Sequence, residues 1–168
     1  MISCSNWNPD YKNAHPKAKE LMKDEFLWNP IDGNSPFGND DGADAVYRFY
    51  EWRKNNKTVN TVNFIGELLL EWNYKTYNFQ QTDTLEIEKY TKSSDIGVRM
   101  FLGIDDAIIA TGFGQLILEG KIDKELKELT LIAIERQLLP FSLNLFEKSL
   151  REVRVEKLKR MKEIINAA

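Results

Sequence analysis

The chain has 168 residues, 42% hydrophobic and 29% charged, with a formal net charge of −3 and a pI near 5.4. That length suits one domain able to bury its own core, and the acidic balance gives no overall attraction to nucleic acid or to an anionic membrane. A single cysteine, Cys4, and a single histidine, His15, exclude an internal disulfide and a Cys/His zinc site.

Residues 1–14 are polar and turn-rich, and Trp7 and Tyr11 are candidates for anchoring them to the body of one domain spanning 1–168. The opening residues carry no positive region followed by an apolar one, so a cytoplasmic protein is expected. Pro16, at the favourable first helical position, predicts a short helix over 17–25 with Leu21 and Met22 inward. Asn29-Pro30 breaks that pattern and leads into an acidic loop.

The loop runs Asn34-Ser35-Pro36-Phe37-Gly38-Asn39-Asp40-Asp41-Gly42-Ala43-Asp44. Gly38 and Gly42 would permit positive φ, while Asn39, Asp40 and Asp41 suit hydrogen bonds to neighbouring amides. Asp44 stands where an N-cap belongs for a helix holding Val46, Phe49, Tyr50 and Trp52. A second amphipathic helix follows from the spacing of Val62, Ile65, Leu68, Leu69 and Trp72.

After a polar stretch at 75–84, residues 85–101 fit two descriptions. Leu85 and Ile87 alternate with Glu86 and Glu88 as in a strand, but the Glu and Lys content favours a short helix. Asp105 or Asp106 is expected to open a helix over 107–119, whose apolar residues occupy more than one face, as in a central buried helix. Gly112 and Gly114 would each cost that helix about 1 kcal/mol relative to Ala. Close approach of a neighbour, the helix carrying Trp52, would compensate. Gly120 fits the C-terminal position, Asp123 caps a helix over 124–139, and Pro140 ends it.

The last predicted helix, 143–165, has a seam of Leu143, Phe146, Leu150 and Val153 that slips to Leu158, Met161 and Ile165. The expected fold is all-α or mainly α, with six to seven helices around the apolar helix at about 105–119 and a long amphipathic C-terminal helix. No apolar run reads as long enough for a membrane span; 107–118 is the greasiest.

Chemistry has little material. Nucleophilic catalysis would have to use His15, which reads as a turn residue beside proline. There is no G-x-S-x-G element, no dinucleotide fingerprint and no Walker lysine motif. Clustered acids remain. Asp40, Asp41, Asp44, Asp105 and Asp106 would hold magnesium, manganese or calcium if the two acid pairs converge. The simpler reading makes Asp105 and Asp106 helix-start acids. Asp32, Phe37, Asn39, Asp40, Asp41 and Asp44 form the candidate binding loop. Residues 1–46 hold eight acids against four lysines, whereas 147–163 hold seven Lys/Arg against four Glu. That basic face has acid-first pairs at i, i+4, Glu147 with Arg151 and Glu156 with Arg160, and no interleaved aromatics. It reads as a solvated face rather than a nucleic-acid site.

The Ser35–Asp44 element, preceded by His15-Pro16 and followed by 105–120, resembles the uncharacterised bacterial YfeS-like proteins. The resemblance implies a bacterial, cytoplasmic protein and carries no activity. The leading expectation is a non-catalytic protein-interaction module, of which an immunity-type protein is one form, with the acidic loop as recognition surface or rigid clasp and no cofactor. The alternative is a divalent-metal-dependent hydrolase using the clustered aspartates. A third is a structural subunit that oligomerises through the last helix.

Overall fold

A computed structural model of the chain describes residues 9–168; Cys4 and the expected anchor Trp7 lie outside them. Among the described residues there are eight α-helices and no strand. They are α1 (Pro16–Leu21), α2 (Asp40–Asn55), α3 (Val62–Glu71), α4 (Thr84–Thr91), α5 (Gly97–Glu119), α6 (Lys124–Leu138), α7 (Pro140–Leu143) and α8 (Lys148–Ala167). Short 3-10 turns at Tyr11–Asn13 and Glu25–Trp28 flank α1.

The organising element is α5. It begins eight residues before the expected start, because Met100, Phe101 and Ile104 continue the buried apolar pattern. Gly97 makes that start sterically open: a Cβ there would stand 2.1 Å from the Thr91 carbonyl oxygen. Asp105 and Asp106 are therefore interior helix residues, not caps. By length and composition α5 could cross a membrane, contrary to the sequence reading, and 83% of that apolar window is buried inside the protein.

Two helices press on α5 where it lacks side chains. Val46 and Phe49 of α2 approach Gly114, so a Cβ there would meet Val46 Cγ2 at 2.8 Å. Thr130 of α6 approaches Gly112 more closely still, with its Oγ1 2.4 Å from where a Cβ would stand. The expected partner, the helix carrying Trp52, thus covers only one of the two glycines. Phe49 is fully buried and packs edge-on to Phe64 of α3 at 5.5 Å. Burial of this kind contributes about 1.5–3 kcal/mol per large apolar side chain. Gly120, at φ 69°, ends α5 as expected. His15 packs on that glycine, donates its backbone N–H to Ile117 O (2.8 Å), and caps α1 through Nδ1. Tyr11 sets its ring edge-on to Trp28 at 5.4 Å, as an anchor would.

Residues 84–91 form a helix, α4, capped by Asp83 rather than paired in a sheet. The C-terminal helix starts later than expected, at Lys148, after the separate turn α7. Its seam is also displaced. Leu150 and Val153 are 55% and 46% exposed, and the inward residues are Arg154, Leu158, Met161, Ile164 and Ile165, packed toward α6. The expected i, i+4 pairs do not account for its charges. Arg151 donates to Phe146 O and Asn144, and Arg160 pairs with Asp24 and Glu163.

Candidate functional site

The acidic loop is a closed clasp. Asn29 Oδ1 accepts from Ile31 N (3.1 Å) and Asp32 Oδ1 from Asn34 N (3.0 Å), the local turns that Asn and Asp favour. Ser35 Oγ donates to Leu27 O (3.3 Å), and Phe37 is buried. Gly38 and Gly42 serve close approach, not positive φ as expected; Gly120 is the described glycine with that geometry. A Cβ on Gly38 would stand 1.8 Å from Asp32 O, and one on Gly42 2.4 Å from Pro36 O. Asn39, not Asp44, caps α2, its Oδ1 accepting from Gly42 N at 2.8 Å. The helix simply begins one turn earlier, with Asp40 and Asp41 as first-turn acids favoured by the helix dipole.

Most of the loop's carboxylates already have partners. Asp32 pairs with Lys157 of α8 at 2.5 Å. Burial opposes its charge, but Lys157 and the Asn34 amide outweigh that and hold the carboxyl below its usual range. Asp41 is buried, receives both Arg99 terminal nitrogens, and accepts from Tyr74 Oη at 3.1 Å. Asp44 accepts from Arg48 Nε (2.7 Å) and Trp72 Nε1 (2.9 Å). Asp40 stays exposed.

Beneath the clasp lies a buried polar cluster. Asp105 and Arg136 are both 0% exposed, joined by Nε and Nη2 bonds of 2.9 and 2.5 Å to one carboxylate oxygen. Arg136 also donates to Phe79 O and Gln81 O, and its guanidinium lies 5.5 Å from the Tyr77 ring. Desolvation pushes the Asp105 carboxyl up to about 6 despite Arg136. Asp106 accepts from Gln137 Nε2 at 3.3 Å; Gln137 in turn accepts from Arg154, which reaches up to Asn34 Oδ1 at 3.2 Å. Desolvation raises Asp106 to about 7, against the pull of Arg154 and with Asp105 and Asp41 adding to the rise.

The two acid pairs meet only in part. Asp41 lies against Gly103 of α5, where a Cβ would be 2.8 Å from its Oδ2, so it approaches the Asp106 side of that helix. Asp105 is committed to Arg136, Asp44 to Arg48 and Trp72, and Asp40 to solvent. Among the described residues no group of three or more His, Cys, Asp or Glu is placed to hold a metal ion.

A different feature gathers surface carboxylates. Between α2 and α3 runs a groove of about 390 Å³ lined by Asp44, Arg48, Glu51, Glu67 and Glu71 beside Tyr47, Trp52, Phe64 and Leu68. Four carboxylates face one guanidinium there. Arg48 bridges Asp44 and Glu71, Trp52 Nε1 donates to Glu67 at 2.9 Å, and Glu51 pairs with Lys54 at the rim. Tyr47 stands 38% exposed on its edge. The signal was present in the sequence. Asp44, Tyr47, Arg48 and Glu51 follow i, i+3, i+4, i+7, and Glu67 and Glu71 stand at i, i+4. Only the pairing of the two helices puts those stripes face to face.

Comparison with protein-family models, with curated proteins and with solved structures returned no match.

Proposed function

We propose that this chain is a protein-interaction module that receives a basic segment of a partner in the groove between α2 and α3. The observation that carries this reading is the excess of carboxylates, four against Arg48 and the rim Lys54, in a groove walled by Tyr47 and Trp52. A lysine or arginine side chain lays its aliphatic stem on apolar surface and keeps its charged head beside acids. An aromatic face adds roughly 0.5–1 kcal/mol of cation–π attraction at an exposed site. Complementary charge would also speed encounter with a basic partner.

An immunity-type protein that masks a basic toxin surface is the concrete form of the proposal. The acidic loop then contributes Asp44 to the recognition surface and otherwise serves as the clasp that fixes the start of α2. A bacterial, cytoplasmic origin and kinship with the YfeS-like proteins belong to the same proposal, supported by the Phe37-Gly38-Asn39-Asp40-Asp41 element.

Titration calorimetry with a lysine- and arginine-rich peptide tests it. The expected outcome is binding that weakens as salt rises, because exposed charges are screened. Glu67→Gln with Glu71→Gln should weaken it about tenfold, worth about 1.4 kcal/mol, and Asp40→Asn should leave it unchanged. Binding that ignores the Glu67 and Glu71 substitutions, or no binding of any basic peptide, contradicts the proposal.

A further inference from the structure

The clasp roofs a small, partly closed cavity. Gly33, Asn34, Ser35, Pro36 and Asn39 form its upper wall; Asp106 and Ile109 of α5, Gln137 of α6, and Arg154, Leu158 and Met161 of α8 lie below. The free space inside is about 10 Å³, close to the least volume, about 10–15 Å³, that holds one water molecule.

The walls combine Pro36, Ile109, Leu158 and Met161 with several polar side chains, where a cavity that stays dry would be apolar throughout. Arg154 lines the space and is 93% buried, since only 7% of it is exposed. Its two terminal nitrogens donate to Asn34 and Gln137, but its Nε–H has no protein partner. A buried guanidinium N–H without an acceptor is costly, and native structures satisfy nearly all such groups with protein or ordered water. Acceptors that would complete the shell of a small ligand share the same cavity: the Asp106 carboxyl and the side-chain oxygens of Asn39 and Ser35.

We propose that this cavity binds one internal water molecule, which accepts from Arg154 Nε–H and donates to oxygens of Asp106 and the clasp. The volume is too small for a carboxylate or phosphate. The Arg154 charge opposes a metal cation. The clasp is then joined to α5 and α8 through a shared solvent molecule as well as by the Asn34–Arg154 and Asp32–Lys157 contacts.

A crystal structure of the wild-type chain at a resolution that shows ordered solvent decides the matter. One density peak within hydrogen-bonding distance of Arg154 Nε, with the scattering of water, is expected. An empty cavity overturns the proposal, and so does a peak with the anomalous signal of a halide. Oxygen-17 relaxation dispersion gives a second reading in solution. Arg154→Met, checked for native helicity, should lose one long-lived water relative to wild type, and an unchanged count overturns the assignment. If that variant does not fold, the wild-type density alone decides.

Discussion

Arg136 and Asp105 form an ion pair with no exposure to water, and one carboxylate oxygen, Asp105 Oδ2, has no hydrogen-bond partner. Removing one member of such a pair strands a buried charge, which typically costs about 3–5 kcal/mol. Arg136→Met should therefore lower stability by about that amount in urea denaturation. Asp105→Leu combined with Arg136→Met should recover much of the loss, because the second change removes the stranded charge. Asp106 gives a prediction in pH. Its folded value of about 7 lies above the ordinary 3.8, so the folded state holds a proton that the unfolded state has lost between these limits. Its contribution is fully present below about pH 4, falls as pH rises toward 7, and is flat above. Asp106→Asn keeps an acceptor oxygen and abolishes that fall. Relative to wild type the variant should gain about 1 kcal/mol or more above neutrality, one pKa unit being worth about 1.4 kcal/mol. Equal pH profiles for the two proteins would contradict the assignment. None of this was legible in the sequence, where Asp105 and Asp106 look like helix-start acids. Arg136 and Arg154 lie 30 or more residues away, and the pairing depends on three helices meeting.

At the scale of elements, apolar periodicity located most helices because each buries a defined stripe against α5. It misjudged α8. Leu143, Phe146, Leu150 and Val153 keep helical spacing, but α7 ends at Leu143, α8 begins only at Lys148, and Leu150 and Val153 face outward. Spacing reports which residues share a face, not which face the body covers. Replacing Leu150 and Val153 by Lys should change stability by no more than about 0.5 kcal/mol each. Leu158→Ala, at a position 2% exposed, should cost about 2–5 kcal/mol. Thermal denaturation of the three variants checks both halves of the prediction; the reverse order of effects would restore the original seam. The start of α5 was obscured differently. Gly97 and Gly103 disfavour helix locally, yet both sites need the missing side chain, one beside Thr91 O and the other beside Asp41 and Tyr74.

Across the whole molecule the two charge excesses read from the sequence meet each other. Lys157 pairs with Asp32 and Arg160 with Asp24, so the basic face of α8 is partly matched by the acidic N-terminal third. The more exposed of the two, Arg160–Asp24, stabilises by only about 0–1 kcal/mol. The larger consequence of the pairing is for recognition, because Asp32 and Asp41 are engaged inside the protein. The clasp motif was legible, but its role was not, since a sequence shows acids without their partners. Acidic side chains gather at the surface between α2 and α3. The central claim is therefore that a basic partner is met by that groove and not by the loop. Amide and indole NMR shifts during titration with a lysine- and arginine-rich peptide measure this directly. The account predicts changes centred on Tyr47, Arg48, Glu67, Glu71 and the Trp52 indole, with residues 32–41 unmoved; changes centred on 32–41, or none at all, would contradict it.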